Sequence, residues 1–260
     1  MDNRAVVVLA LLGVALWGLP SSGHAQGSPR GSQVWQASAR YDYDRLSGGR
    51  TDWHRWTVSL KRAIPGGTIM ASLIQQRRFG IADAGGAVDV WQDLWQGAYG
   101  HLRVGLSPEA RIRSRRIVTS NLYQSLGPWE VSGHYSWRRY RRDAVHLFGP
   151  GLARYVGAWY LRTRTTVAPR PGTWAIAQRV GARRFYSSAP SSYVDAEVGI
   201  GRSVELVGAD AELLVTRTYF ASVRIHHFVT AHLGVTAGLR YSDDGVFRRT
   251  GGSVGLIGRW

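Results

Sequence analysis

The 260-residue sequence contains no cysteine and a single lysine, Lys61, and it sets only 17 acidic residues against 33 basic ones. Without cysteine there can be no disulfide framework and no thiolate metal site. With one lysine, 32 of the 33 basic residues are arginines, and the formal net charge is +16. No zinc spacing, phosphate loop or nucleotide fingerprint occurs, so no cofactor and no metal are expected. Nowhere does the chain stay apolar for the ~20 residues a membrane-spanning helix needs. What is present is foldable material: 44% hydrophobic residues, 11 Trp, 12 Tyr and 32 Gly. That composition excludes a disordered basic tail. Charge of this sign favours an anionic partner.

The start of the chain selects the compartment. Arg4 precedes a 15-residue apolar run, Ala5 to Leu19, followed by Pro20 and small residues ending Gly23-His24-Ala25. This reads as a secretory signal peptide over residues 1–25, cleaved near Ala25, with the working domain over 26–260. Export removes the chain from nucleic acid, which is not expected as a partner.

The remainder alternates with period two. Trp35, Ala37, Ala39, Tyr41 and Tyr43 share one parity, while Gln36, Ser38, Arg40, Asp42 and Asp44 share the other. Alternation of this kind places one face in an apolar medium and the other in water. It recurs at Leu102, Val104, Leu106 against His101 and Arg103, at Trp129, Val131, Tyr135 against Glu130, Ser132, His134, and at Leu233 to Tyr241. Turn signals separate the runs, short ones alternating with longer polar ones, as in an up-and-down meander. The spacing predicts fourteen strands, near 33–45, 52–62, 67–79, 87–95, 98–106, 115–126, 129–140, 144–155, 158–167, 173–186, 193–201, 212–225, 230–241 and 250–260. Pro150 interrupts the eighth and residues 201–211 are ambiguous, so twelve strands is the alternative.

A soluble sandwich would turn its large side chains into a core. Here the polar face carries Arg, Asp, Glu, His and Ser on nearly every strand, and aromatic residues gather at the two ends of the apolar face. Trp35, Trp129, Trp159, Tyr193 and Trp260 fall at expected periplasmic ends, and Tyr41, Tyr43, Trp137, Trp174 and Tyr241 at external ends. Two aromatic girdles with no spanning helix indicate an all-β fold: a single closed antiparallel transmembrane β-barrel.

The chain also resembles the YaiO-type outer-membrane β-barrel family. The likeness lies in Ile74-Gln75-Gln76-Arg77-Arg78-Phe79-Gly80, Leu94-Trp95-Gln96-Gly97-Ala98-Tyr99, Gly105-Leu106-Ser107-Pro108 and Leu122-Tyr123-Gln124-Ser125-Leu126. It continues through Val145-His146, Tyr155-Val156-Gly157 and Ala182-Arg183-Arg184-Phe185, so that it spans most of residues 52–205. It implies a Gram-negative outer-membrane barrel and supplies no catalytic or ligand residues. Val254, Leu256 and terminal Trp260 look like the aromatic-ended last strand recognised by outer-membrane assembly machinery.

Parity assigns ten arginines to the lumen: Arg40, Arg78, Arg103, Arg138, Arg162, Arg164, Arg179, Arg183, Arg224 and Arg240. Seven acids share that face, Asp42, Asp44, Asp89, Asp93, Glu130, Asp195 and Glu197, leaving a balance of +3. Cross-strand pairs are expected between Arg179, Arg183 and Asp195, Glu197, and between Arg78 and Asp89. Such a lattice either braces the lumen or lines a narrow anion-preferring channel for small acidic solutes or oligosaccharides. Arginines at 111, 113, 115, 116, 139, 141, 142, 248 and 249 are expected in external loops. Of these, Arg113, Arg115, Arg141 and Arg142 are candidates to fork onto lipopolysaccharide phosphates.

The alternatives are an envelope-modifying barrel enzyme and an adhesive barrel acting through basic loops. Glu130, Ser132, His134 and Ser136 share a face of one strand, but residues two apart on a strand sit ~6.5 Å apart along the backbone. Triad partners usually come from different strands or loops, so lumen lining is the better account. His226 and His227 face opposite ways and cannot chelate one ion together.

Overall fold

The computed structural model describes residues 8–10, 35–188, 191–207 and 212–260, most of them in strands. The strands are β1 (Val8–Ala10), β2 (Trp35–Leu46), β3 (Trp53–Ile64), β4 (Gly67–Arg78), β5 (Ile81–Trp95), β6 (Ala98–Leu106), β7 (Arg116–Leu126) and β8 (Trp129–Arg139). They continue with β9 (Ala144–Val156), β10 (Trp159–Arg170), β11 (Thr173–Ser188), β12 (Ser191–Val207), β13 (Glu212–Phe228), β14 (Leu233–Asp243) and β15 (Arg248–Arg259).

Each strand from β2 onward pairs antiparallel with its sequence neighbour, and β15 pairs with β2, closing a ring of fourteen strands. Trp35 N donates to Trp260 O at 2.8 Å and Trp260 N donates to Trp35 O at 3.0 Å, which seals the seam. The twelve-strand alternative is excluded. Pro150 sits within β9 and costs rungs rather than a strand. Toward β8, Gly133 stays opposite Pro150; toward β10, pairing lapses between Gly151–Arg164 and Phe148–Val167 and resumes in the same register.

Two boundaries differ from the sequence expectation. β5 begins at Ile81 rather than 87. The stretch Ala82 to Ala87 carries no large apolar side chain because the loop after β6 lies over it: a Cβ at Gly85 would run into Ser107 Oγ. β12 runs on to Val207, absorbing most of the ambiguous span, while residues 208–211 lie outside the described residues. β1 takes the edge of β12 at residues 205–207, beyond Gly201, where the pairing with β11 stops. β1 falls in the stretch read as a signal peptide; the rest of that stretch, with its cleavage point near Ala25, lies outside the described residues.

The faces follow the alternation with the polarity of a barrel in lipid. Leu73 (72% exposed), Leu239 (74%), Val58, Val180 and Val254 point outward, whereas Asp42, Asp89, Glu130 and Asp195 are buried inside. Turns 65–66, 96–97, 127–128 and 157–158 and the strand ends Trp35 and Trp260 mark one rim, taken as periplasmic. Loops 47–52, 79–80, 107–115, 140–143, 171–172 and 244–247 mark the external rim. At the periplasmic rim Trp129, Trp159 and Trp260 are exposed, with Arg154 over Trp129 (4.8 Å) and Arg184 over Trp159 (5.7 Å). Tyr193 is a correction to that girdle. It shares parity with Asp195, is buried in the lumen, and lies 4.3 Å below the Arg183 guanidinium.

Candidate functional site

All ten arginines read as lumenal lie on the inward parity, with Arg78, Arg138 and Arg183 buried. All seven acids share that parity; Asp93, opposite Tyr99 at the periplasmic end of β5, is the exposed one, and its N–H donates to Gly66 O at 2.7 Å.

Three polar assemblies fill one side of the lumen. The first is the expected pairing of β11 with β12. Arg183 Nε donates to Asp195 (2.8 Å), Arg179 approaches Glu197 (3.5 Å), and Arg162 from β10 forks onto Asp195 (2.9 Å to each oxygen) while reaching Glu197 (3.0 Å). Gly181 makes room for it, since a Cβ there would sit 2.8 Å from Arg162 Cζ. Bidentate guanidinium–carboxylate pairs of this kind are strong and directional. The second assembly crosses four strands: Arg103 (3.2 Å) and His101 (3.0 Å) bond Asp89, Asn121 joins His101 (3.0 Å), and His134 joins Asn121 (2.7 Å). In the third, Tyr99 and Tyr160 donate to Glu130 at 2.9 and 2.7 Å.

The expected Arg78–Asp89 pair does not form. The tight 79–80 turn places Ile81 opposite Arg78 and Met70 opposite Asp89, so the two side chains sit at different heights in the barrel. Arg78 instead stacks on Trp53 at 4.5 Å. Nor do Glu130, Ser132, His134 and Ser136 assemble for catalysis. His134 is bonded to Asn121, Glu130 to tyrosines, and Ser136 to Thr119 (2.9 Å) and Arg138 (3.3 Å).

The external mouth holds a feature the sequence reading lacked. Inward positions that are charged at mid-height become apolar near that rim: Asp42 and Asp44 give way to Leu46, Arg55 to Trp53, and Arg138 to Tyr140, all of them buried or nearly so. Trp53, Phe79 and Phe247 meet edge to face (5.1 and 5.5 Å from Trp53), and Ile112 packs with Tyr140, Val145 and Leu147. Phe79 adopts φ 52°, a left-handed conformation that a bulky residue keeps only where packing over-determines it. Loop 107–115 folds into this layer because buried Asp83 accepts the backbone N–H groups of Arg111, Ile112 and Arg113, each at 2.9 Å. The external mouth is therefore plugged.

Beneath the plug an internal cavity of about 360 Å³ lies mainly against β2–β6 and β13–β15, with Ile117, Arg138 and Tyr193 closing it from β7, β8 and β12. It reaches from Gln36 and Thr236 near the periplasmic rim to Asp244 and Arg249 below the external one. Its wall carries nine arginines against four aspartates. Asp42 is the hub of its acidic side, accepting from Arg40 (3.1 Å), Arg55 (3.2 Å) and Arg240 (2.9 Å), and Arg240 also bonds Asp44 (2.5 Å). Arg55, inside the expected strand 52–62 but not among the ten lumenal arginines, also joins this wall; its parity with Trp53, Thr57 and Ser59 is the signal that places it there.

Two arginines expected on the outer surface point inward. Arg113 lines the cavity, where burial and the neighbouring Arg55 and Arg103 lower its pKa to about 10, leaving it charged at neutral pH. Arg249 is buried over Trp53 (5.1 Å) and donates to Ser242 (3.0 Å). Arg115 is half-buried and donates to Ala110 O at 3.3 Å, whereas Arg111, Arg116, Arg139, Arg141, Arg142 and Arg248 are exposed at the external rim. At the seam, Val254, Leu256 and Trp260 all project outward.

Solved structures share this architecture at low sequence identity. A bacterial polysaccharide outer-membrane secretin is 8% identical with a TM-score of 0.51, the match covering 88% of this chain and 98% of that one. OprB of Pseudomonas putida, in a high-pH structure, is 8% identical with a TM-score of 0.50, covering 88% and 94%. Likeness at that level concerns the fold. None of the curated proteins matches the sequence. The model of the YaiO membrane β-barrel domain matches residues 35–206, well over half the chain. With a closed fourteen-strand ring, an apolar exterior and a polar interior, this outer-membrane β-barrel protein belongs to the YaiO family.

Proposed function

We propose that the protein is a narrow, non-enzymatic channel for small anionic solutes, held shut at its external mouth in the conformation described. The observation that carries this reading is the cavity wall, with nine arginines against four aspartates running most of the barrel's height. A basic wall of low polarity surroundings lowers the entry barrier for anions and raises it for cations. The assemblies around Asp195 and Glu130 narrow the path from beside the cavity, and the Asp89 assembly forms part of its wall, which fits small acidic solutes. His134 bonds Asn121 and Ser136 bonds Thr119, an arrangement that suits a lining wall better than a base paired with its nucleophile.

Two further roles belong to this reading. The exposed rim arginines, Arg141 and Arg142 foremost, contact lipopolysaccharide phosphates in the outer leaflet, and an Arg141→Ser/Arg142→Ser protein that retains wild-type lipopolysaccharide binding removes that assignment. Export involves cleavage near Ala25, and Trp260 with Val254 and Leu256 serves the assembly machinery; unchanged membrane assembly after Trp260→Ser counts against the latter. The channel itself is tested in proteoliposomes loaded with neutral and anionic solutes of equal size. Faster flux of the anion, reduced when Arg40 and Arg224 are replaced by Ser, is the expected result. Equal flux of both solutes refutes anion preference.

A further inference from the structure

Arg78 and Arg113 stand apart from the other lumenal arginines. Arg78 is 9% exposed, lines the cavity, and sits with Cζ 4.5 Å from the Trp53 ring centroid. Arg113 lines the same cavity from the folded-in loop. Among the described residues neither guanidinium has a carboxylate within ion-pair distance. Asp42 serves Arg40, Arg55 and Arg240; Asp44 serves Arg240; Asp89 serves His101 and Arg103. Asp83 accepts three backbone N–H groups, and Asp244 accepts those of Val246 and Phe247 through Oδ1. Gln76, two residues before Arg78 on the same inward face, has its Nε2 buried without an acceptor. Buried cationic donors without counter-charge are costly unless something supplies acceptors.

We propose that Arg78 and Arg113 form a binding site for one oxyanion, the phosphate, sulfate or carboxylate group of a small solute, at the blind external end of the cavity. Trp53 packs against the Arg78 guanidinium, 4.5 Å from ring centroid to Cζ, and Arg78 lines the cavity, where a guanidinium can fork its N–H groups onto two oxygens. The strand wall encloses the site, so its ligand comes from solute in the lumen rather than from a lipid headgroup. The proposal rests on the anionic-solute reading above and sharpens it: an anion entering the cavity is captured beneath the plug before passing it.

The test is calorimetric titration of inorganic phosphate into the refolded full barrel in neutral, phosphate-free detergent at fixed ionic strength. One saturable site is expected, weakened about tenfold or more by Arg78→Gln and separately by Arg113→Gln, as loss of a charged bidentate contact dictates. Arg77→Gln, the exposed neighbour on the outer face, leaves binding unchanged. Heat-modifiable gel mobility checks folding, and if Arg78→Gln fails to fold, the loop variant Arg113→Gln decides. No saturable binding, or binding indifferent to both substitutions, overturns the site. Phosphate binding with this arginine dependence in a barrel that carries no anion-selective current supports the site while removing the channel. Anion-selective current with no saturable phosphate binding does the reverse.

Discussion

Asp83 is the fastening of the external plug, and its removal is the sharpest perturbation the structure offers. Its carboxylate accepts three backbone N–H groups at 2.9 Å each, from Arg111, Ile112 and Arg113. Hydrogen bonds to a charged partner contribute about 1.5–3 kcal/mol each, but three bonds sharing one carboxylate also share its desolvation cost, so about 3–5 kcal/mol in total is reasonable. Burial of Ile112, 2% exposed, adds about 1.5–3 kcal/mol. Asp83→Ala thus removes the larger part of what holds loop 107–115 in the mouth. The ratio of docked to released loop falls by roughly a few hundred- to a few thousand-fold. Trypsin reads this directly, because Arg111, Arg113 and Arg115 are cleavable only once the loop leaves the plug. Cleavage there accelerates by at least about a hundredfold in the variant while the barrel keeps its heat-modifiable mobility. Asp83→Asn, which retains an uncharged acceptor oxygen, falls between. Equal cleavage rates in Asp83→Ala and wild type refute the fastening.

Three other outcomes follow from particular contacts. Gly181→Ala pushes Arg162 off Asp195 and Glu197, because the new Cβ would lie 2.8 Å from Cζ, and it lowers stability by about 1–3 kcal/mol, read as a lower urea midpoint; an unchanged midpoint counts against the lattice as a brace. At Phe79, with φ 52°, alanine loses the packing on Trp53 and keeps the backbone strain, so Phe79→Gly is more stable than Phe79→Ala by about 1 kcal/mol; the opposite order means the turn is unstrained. Burial raises the pKa of Asp244, in the 244–247 loop, against the opposing backbone N–H bonds from Phe247 and Val246. Its folded state therefore binds a proton more readily than its unfolded state, so stability falls as pH rises from the ordinary carboxylate range through the raised value. Asp244→Asn removes that slope, and parallel pH curves for the two proteins contradict it.

Strand number and facing were legible because period-two alternation survives along most strands, and the lipid solvent makes most outward positions apolar. Where the alternation thinned, the reading failed for identifiable reasons. Ala82 to Ala87 lacks large side chains because a distant loop covers it, a tertiary fact that no local window contains. That late start of β5 left a long gap after Arg78 instead of the two-residue turn, and so allowed Arg78 and Asp89 to be placed side by side. Tyr193 was assigned to the girdle by its aromatic character although its parity with Asp195 pointed inward. The plug was hidden for a different reason. Leu46, Trp53 and Tyr140 continue the inward parity of charged residues, and only the ring closure brings them to one height with Ile112 and Phe247. The Arg183–Asp195 and Arg179–Glu197 pairs were legible because they need only the register of one hairpin.

The central claim is that the lumen is an anion path closed by the loop that Asp83 fastens. Its most direct test is planar-bilayer recording of the refolded protein under a salt gradient, wild type beside Asp83→Ala. The account predicts rare brief openings in the wild type, frequent ones in the variant, and in both a reversal potential displaced toward that of the anion. A variant that stays silent while its loop is released, or a current that prefers cations, would contradict it.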